Sequence, residues 1–285
     1  MRIFLTGGSG YIGRATIAEL VRRGHIVEAL ARSEGSAQAV TAAGAVAVRG
    51  GLTDLDVLNH AAVRAEAVIH LAQADSAQTD LAAATAMQDG VGAGTYVHTG
   101  GSWVYGDTHG VQDETASWNA PTVVAWRKPV EDQVLARAAE GGRPVIVQPG
   151  LLYGGDNRLI DHFFVTPGKL SGAVPYIGDG ANRWALVHID DIATLYAAAL
   201  SAKAGSVYIG VGESHPRMKE VAEAAARGAG LAGKTVSITL EQARAQMGPI
   251  ADAFALDQRL TSAKARRELG WAPKHDDPLE TFERI

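Results

Sequence analysis

Cysteine is absent from the 285 residues of this chain. Its absence excludes disulfide bonds, thiol catalysis and cysteine-ligated metal sites. Apolar runs are short as well, and none approaches the roughly 18 residues that a membrane-spanning helix needs. The first residues enter an apolar run directly, without the charged and then apolar leader of a signal peptide. We therefore expect a cytoplasmic location and no membrane partner.

An excess of positive charge is also missing. The formal net charge is -5 and the sequence pI is about 6.0. No basic stripe is visible, so nucleic acid is not an expected partner. The length suffices for one dinucleotide-binding domain and a smaller second lobe. We expect small-molecule ligands and no metal site.

The first thirty-three residues carry the strongest pattern in the chain. Arg2–Leu5 is an apolar run typical of a buried strand, and the glycine-rich loop Thr6–Gly13 follows it at once. An amphipathic helical stretch then leads to a second apolar run, Ile26–Ala31. Strand, glycine loop, helix and strand in this order form the unit that binds a dinucleotide.

Three glycines give this loop its predicted chemistry. Gly7 permits a sharp turn out of the first strand, and Gly10 lets a pyrophosphate approach the backbone. Gly13 allows the helix to pack closely on the sheet. The helix N-terminus then presents free N–H groups and a partial positive charge to the phosphates.

The end of the second strand indicates which dinucleotide is bound. An NAD site usually has Asp or Glu there, whereas this chain has Arg32 followed by Ser33. A cation and a hydroxyl suit the 2′-phosphate of NADP(H), which a carboxylate would repel. Glu28 and Glu34 flank the position, so NAD(H) remains open as an alternative.

The loop spacing Gly-x-x-Gly-x-x-Gly, with Thr6 before it and Tyr11-Ile12 inside it, resembles the extended and atypical short-chain dehydrogenase/reductases of the NAD(P)-dependent epimerase/dehydratase type. Similar segments recur at Ala67–Gln73 and near the C-terminal end. The resemblance implies an α/β fold, a Rossmann-type doubly wound parallel sheet with a small mixed α/β C-terminal substrate lobe. We expect residues 1–150 and 181–204 in the Rossmann domain, and 151–180 and 205–285 in the small lobe.

The catalytic residues of that family are only partly present. Val97–Gly106 resembles the family's catalytic strand end, but Gly101 stands where the catalytic Ser or Thr would be, and Ser102 comes one residue late. The Tyr-x-x-x-Lys pair is missing. Alignment on Glu131 puts Arg127 at the Lys position, and alignment on Asp132 puts Lys128 there. Either way a valine replaces the tyrosine, which resembles the atypical branch.

These departures limit the expected chemistry. Arg127 can still hold the nicotinamide ribose, while a proton would come from Ser102, Tyr153, a substrate group or water. In the segment that resembles the family's R-x-x-x-H-V-x-D pattern, Trp184 replaces the arginine that clamps a sugar-nucleotide diphosphate. An indole cannot pair with a diphosphate as a guanidinium does, which argues against a nucleotide-sugar substrate.

The hypothesis is therefore an NADP(H)-binding oxidoreductase or epimerase-like enzyme that acts on a small carbonyl compound. The alternative is a catalytically silent NAD(P)-binding regulatory or redox-sensing protein. We expect a monomer or a homodimer. The predicted catalytic residues are Ser102, Arg127 and Tyr153. The predicted cofactor contacts are Thr6, Gly7, Gly10, Tyr11, Ile12, Gly13, Arg32, Ser33, Leu52, Leu71, Ala72, Gln73, Thr99, Gly100, Arg127, Pro149, Gly150 and Leu152.

Overall fold

The computed structural model describes residues 1–155 and 158–284. The strands in these ranges are β1 (Arg2–Thr6), β2 (Ile26–Ala31), β3 (Val46–Arg49), β4 (Ala67–His70), β5 (Thr95–Thr99), β6 (Val111–Gln112), β7 (Arg143–Pro149), β8 (Leu151–Tyr153), β9 (Val174–Ile177), β10 (Leu186–His188), β11 (Ser206–Gly210), β12 (Thr235–Ile238) and β13 (Arg259–Leu260).

The helices alternate with these strands through the first half of the chain. They are α1 (Tyr11–Arg22), α2 (Glu34–Ala42), α3 (Leu55–Val63), α4 (Ala77–Val91), α5 (Thr122–Ala125), α6 (Arg127–Ala136), α7 (Arg158–Ile160), α8 (Thr166–Ser171), α9 (Ile189–Ala199), α10 (Met218–Gly228), α11 (Leu240–Met247), α12 (Ile250–Phe254), α13 (Ala263–Leu269) and α14 (Pro278–Glu283). Two 3-10 turns, Ser102–Tyr105 and Arg137–Glu140, and a π-helical turn, Asp161–Val165, complete them. Within the described ranges, no helix has the length and apolar character that crossing a lipid bilayer requires.

A seven-stranded parallel sheet lies at the centre of the fold. Its strand order is β11-β7-β5-β4-β1-β2-β3. The chain first builds outward from β1 to β3 and then returns to add β4 on the other side of β1. In a doubly wound sheet, ligands bind outside the carboxyl ends of the strands at this change of direction. The predicted Rossmann-type sheet is therefore confirmed, and its ligand crevice lies beside β1 and β4.

Both faces of the sheet are covered by helices. Along β1, Ile3 and Leu5 point to one face and share a core with Ile17 of α1 and Leu195 of α9. Phe4 points to the opposite face, where it packs in a cluster with residues of α3, α4 and α6. This alternation buries every residue of β1 after the first, as is typical of strands in a doubly covered parallel sheet.

One boundary differs from the sequence-based expectation. The segment 205–285 was expected in the small lobe, but its first strand, β11, is the edge strand of the main sheet and pairs with β7 from Ser206–Val145 to Gly210–Pro149. Ala265 and Trp271 also pack into the core of the main sheet. The correction follows from burial: Tyr208 and Ile209 point to opposite sides of β11, and the sheet buries both.

A separate apolar core lies away from the main sheet. It forms around Phe254, whose ring contacts Phe164 and Trp184 at centroid distances of 4.9 and 5.8 Å. The parallel pair β9 and β12 and the helix α10 close this core. Parts of the segments 158–177 and 218–254, which were both expected in the small lobe, therefore pack together here.

Candidate active site

A groove with a cavity volume of about 730 Å³ opens at the carboxyl ends of β1 to β4. Most of the residues predicted from the glycine loop and the following strand ends line it. The predicted residues in the groove are Gly7, Gly10, Tyr11, Ile12, Gly13, Arg32, Leu52, Leu71, Ala72, Gln73 and Leu152. The fold therefore brings these predicted residues together in one groove, and their binding of a dinucleotide stays a prediction.

Two glycines of the loop lie very close to neighbouring backbone atoms. Gly7 has φ +73°, and a Cβ there would lie 2.6 Å from the backbone of Leu71 and Ala72. A Cβ on Gly13 would lie 2.1 Å from the carbonyl oxygen of Gly7. No side chain fits at either position. The first turn of α1 therefore approaches β1 closely, and its N-terminal residues line the groove, as phosphate binding requires.

Two predicted contact residues, Thr6 and Ser33, do not line the groove and have other partners. Thr6 is fully buried, and its hydroxyl contacts Nδ1 of His70 at 2.6 Å while accepting the N–H of Ala72 at 3.3 Å. The Ser33 hydroxyl accepts the N–H of Ser36 at 3.2 Å and so caps α2. Ser36, which the sequence analysis did not single out, lines the groove instead.

Arg32 is an exposed cation at the groove, and none of the described residues forms an ion pair with it. The two acidic residues that had kept NAD(H) open are engaged by other arginines. Glu34 pairs with Arg49, and Glu28 pairs with Arg2 at 2.7 Å and with a second arginine at 3.0 Å. The positive charge at the end of β2 is therefore not neutralised from within the described chain.

The nicotinamide end of the predicted site is marked by Arg127. Its Nη1 donates a hydrogen bond to the carbonyl oxygen of Thr99 at 3.1 Å, and its guanidinium lies 4.7 Å from the ring centre of Trp126. A Cβ on Gly101 would lie 3.9 Å from Arg127 Nε. The position of the family's catalytic Ser or Thr thus lies beside Arg127. Lys128 instead pairs with Asp132 on the exposed face of α6, which favours the alignment on Glu131.

None of the three predicted catalytic residues, Ser102, Arg127 and Tyr153, lines the groove. Tyr153 is 2% exposed, and its hydroxyl donates to the carbonyl oxygen of His275 at 2.9 Å. Burial also raises the pKa of its phenol. Leu152 lines the groove, and successive residues of a strand point to opposite sides, so Tyr153 points away from the groove. This geometry gives the predicted catalytic role of Tyr153 no support.

Ser102 is likewise 2% exposed and begins a 3-10 turn. Gln258 holds this turn by donating to the carbonyl oxygens of Ser102 and Gly106 at 2.9 and 3.0 Å. The sequence analysis did not identify Gln258, because it lies more than 150 residues further along the chain. Ser102 does not line the groove, and its role as a proton donor stays a prediction.

The remaining predicted contacts lie along the sheet edge beyond the groove. The Thr99 hydroxyl forms a hydrogen bond with the Tyr196 hydroxyl at 2.9 Å, and the Gly150 N–H donates to the carbonyl oxygen of Gly210 at 2.9 Å. Gly100 packs against Glu131, and Pro149 ends β7. Several groove residues were not predicted, and they come from strand β2, from the loops after β1, β3 and β4, and from neighbouring helices. They are Ser9, Leu30, Ser36, Gly50, Gly51, Thr53, Ala74, Asp75, Thr79 and Leu159.

Glu131 is a buried carboxyl group next to this end of the sheet. One of its oxygens, Oε2, accepts a hydrogen bond from Gln148 at 3.0 Å, and Gln148 in turn accepts one from the Tyr105 hydroxyl at 2.6 Å. The other oxygen, Oε1, is buried and has no hydrogen-bond partner within the described ranges. Burial raises the pKa of Glu131 to about 7. The sequence had used this residue only to align α6.

Aromatic side chains cluster in the separate apolar core around Phe254. The half-buried rings of Trp103 and Phe163 each lie 5.6 Å from the ring of Phe254. Trp184 is buried, and its indole N–H donates to the carbonyl oxygen of Phe254 at 2.8 Å. The guanidinium of Arg183 donates to the carbonyl oxygen of His215. Neither of these last two side chains is positioned as a diphosphate clamp.

Comparison with known proteins identifies the family. A family model described as "NAD dependent epimerase/dehydratase family" matches residues 3–210, which is more than half of the chain. The chain belongs to this family. An uncharacterized protein of Schizosaccharomyces pombe is 30% identical over 292 residues, covering 96% of this chain and 96% of that protein. The resemblance to extended short-chain dehydrogenase/reductases is thereby confirmed, whereas membership of the atypical branch stays a prediction.

Other known proteins are similar over a shorter stretch or in fold. The 2-alkyl-3-oxoalkanoate reductase of Stenotrophomonas maltophilia is 30% identical over 225 residues, 72% of this chain and 66% of that protein. The dTDP-glucose 4,6-dehydratase DesIV of Streptomyces venezuelae, solved with NAD bound, has a TM-score of 0.82 at 22% identity and covers 100% of this chain and 95% of that chain. The family and the reductase relatives support an oxidoreductase- or epimerase-like function.

Proposed function

We propose that this chain is an NADP(H)-dependent reductase that acts on the carbonyl group of a small, largely apolar molecule, and not on a nucleotide sugar. The observation that carries the cofactor preference is the unneutralised Arg32 in the groove, next to Ser36 and the N-terminus of α2. These groups together suit a 2′-phosphate, because a cation, a hydroxyl and free N–H groups all favour a dianion.

Arg127 supports the nicotinamide end of this proposal. Its backbone contact with Thr99 and its ring contact with Trp126 fix the guanidinium at the end of β5. From there it can donate to the ribose of a nicotinamide nucleotide, which is the orienting role of the family's lysine. When bound, NADPH supplies the hydride, and the chain supplies the position of the substrate.

The aromatic side chains around Phe254 support an apolar substrate. Trp103 and Phe163 present ring surface, and Trp184 replaces the cation that a nucleotide sugar would need. Two relatives are named for related chemistry, a 2-alkyl-3-oxoalkanoate reductase and a ketoreductase of a farnesyl quinoline N-oxide. Both names describe ketone substrates with alkyl or isoprenoid groups, which apolar ring surface can bind.

The cofactor is tested by fluorescence titration with NADPH and NADH. We expect NADPH to bind more tightly, and Arg32→Ala to weaken NADPH binding by about 10-fold or more while leaving NADH binding nearly unchanged, because only NADPH loses a charge-assisted hydrogen bond. Arg23→Ala is the matched control, since Arg23 is an exposed arginine that pairs with Glu19 on α1. Equal affinities of the wild type for the two cofactors would refute the preference.

The substrate class is tested by following NADPH absorbance with 2-alkyl-3-oxo acids, aryl ketones, aliphatic aldehydes and UDP-glucose. Turnover with an apolar ketone and none with the nucleotide sugar is the expected result. The alternative, a redox sensor without turnover, is favoured by one observation: none of the Ser102, Arg127 and Tyr153 side chains lines the groove. Tight NADPH binding without oxidation by any of these carbonyl compounds would support the sensor and overturn the reductase.

A further inference from the structure

Three buried side chains from separate elements meet behind the glycine loop. His70 ends β4, His98 lies in β5 and Asp80 lies in α4. They are 1%, 2% and 3% exposed. His70 Nε2 lies 3.3 Å from Oδ1 of Asp80, and His98 Nε2 lies 3.5 Å from Oδ2. One ligand atom from each residue lies within 4.8 Å of the others.

The distances in this cluster are long for hydrogen bonds between a charged carboxylate and an N–H group, which measure about 2.7–2.9 Å. They match the spacing between ligand atoms around a tetrahedral ion, which is about 3.3–3.5 Å when each metal–ligand bond is about 2.0–2.1 Å. In the part of the chain that the structure describes, Oδ2 of Asp80 is buried and has no hydrogen-bond partner. Two of the distances between ligand atoms thus fit a small metal site, and the ligand atoms of the three residues all lie within 4.8 Å of one another.

The opposite nitrogen of each imidazole contacts a hydroxyl group. His70 Nδ1 lies 2.6 Å from the Thr6 hydroxyl, and His98 Nδ1 lies 3.2 Å from the Tyr96 hydroxyl. If each Nδ1 carries the proton, both Nε2 lone pairs are directed at the space beside Asp80. Histidine ligands of metal ions are commonly oriented in this way, by a hydrogen bond from the nitrogen that does not bind the metal.

We propose that His70, Asp80 and His98 bind one divalent transition-metal ion of the zinc type, with Asp80 contributing both oxygens. Two imidazoles and a carboxylate are a donor set that Zn²⁺ and Co²⁺ accept. The site is closed to solvent, so the ion joins β4, β5 and α4 and has a structural role. Sequence spacing did not indicate it, because the ligands are distributed over three elements that only the fold brings together.

The experiment uses the full chain, free of any histidine tag and treated with a chelator, then incubated overnight with Co²⁺ or Zn²⁺ alone. We expect one equivalent of Co²⁺ per chain, with the strong visible absorption of tetrahedral cobalt, and a higher unfolding temperature with Zn²⁺. Both measurements use the wild type, so they do not depend on whether any variant folds. Absence of stoichiometric Co²⁺ binding at micromolar protein would overturn the proposal.

Two variants locate the ion. Asp80→Asn keeps the shape of the side chain and should weaken Co²⁺ binding by about 10-fold or more. His275→Ala is the matched control, because His275 belongs to a second, more exposed group with His188 and Asp190. We expect this control to bind Co²⁺ as the wild type does. Retention of binding in Asp80→Asn with loss in His275→Ala would assign the ion to the second group and refute the proposed site.

Discussion

The buried carboxyl group of Glu131 makes the stability of this protein depend on pH in a predictable direction. Burial raises its pKa from 4.5 to about 7. The unfolded chain therefore loses the proton near pH 4.5, while the folded chain keeps it until about pH 7. The stability contribution of Glu131 is fully present below pH 4.5 and is lost as the pH rises through 7. The complete loss is about 3 kcal/mol, since each pKa unit corresponds to about 1.4 kcal/mol.

Glu131→Gln removes this pH dependence while keeping the size of the side chain. Its amide oxygen can still accept the hydrogen bond that Gln148 now donates to Glu131 at 3.0 Å. We therefore expect the free energy of unfolding of the variant, relative to the wild type, to rise by about 2 to 3 kcal/mol between pH 5 and pH 8. Urea unfolding at both pH values, followed by circular dichroism, measures the difference.

Asp132→Asn is the control for this measurement, because Asp132 is the exposed neighbour on the same helix and pairs with Lys128. Its relative stability should change by less than about 1 kcal/mol over the same range. If Glu131→Gln instead has the same relative stability at pH 5 and pH 8, the carboxyl group titrates normally and the reasoning from burial is wrong. A variant that is less stable at pH 8 than at pH 5 would show that the ionised carboxylate is stabilised in the fold, through Arg127.

Two further pairs of substitutions test the predicted nicotinamide site. Gly100→Ala should destabilise the fold by roughly 1–3 kcal/mol, because its Cβ would lie 2.7 Å from Glu131 Oε1, whereas Gly101→Ala meets its nearest atom at 3.9 Å and should cost less than about 1 kcal/mol in urea unfolding. Equal effects would contradict this packing. Arg127→Gln should weaken NADPH binding by about 10-fold or more, and Lys128→Gln should not. The reverse order in a fluorescence titration would restore the alignment on Asp132.

The glycine loop and the sheet could be predicted because their determinants are local. Gly7 and Gly13 stand at positions where the backbone leaves no space for a Cβ, and a strand followed by such a loop has few alternative folds. The position of Arg32 at the end of β2 could also be predicted, since this residue directly follows the strand. In each case neighbouring residues in the sequence determine the geometry, so the pattern alone predicts the groove.

The features that the sequence did not reveal depend on contacts between distant segments. Strand β11 could have belonged to either lobe by its apolar pattern, and only its pairing with β7, about sixty residues earlier, decides the matter. Tyr153 and Leu152 are adjacent, and the side of β8 on which each lies depends on the pairing of β8 with β10. A one-residue change of register would have exchanged them. For the same reason, no sequence spacing brings Gln258 to Ser102.

The valine in α5 at the predicted tyrosine position and Arg127 at the start of α6 change the predicted chemistry in the same direction. A guanidinium stays protonated at all physiological pH values, so Arg127 can orient a ribose but cannot exchange a proton as a lysine–tyrosine pair does. With Val123 at the tyrosine position, we expect the chain to keep the part of the family's machinery that places the cofactor and to lose the part that moves a proton. Hydride transfer still needs only position, and the proton can come from water or from an acid group on the substrate. The carboxyl group of a 3-oxo acid is ionised at neutral pH and cannot donate that proton, so for this substrate class we expect water to supply it, while the alkyl chain suits the aromatic side chains around Phe254.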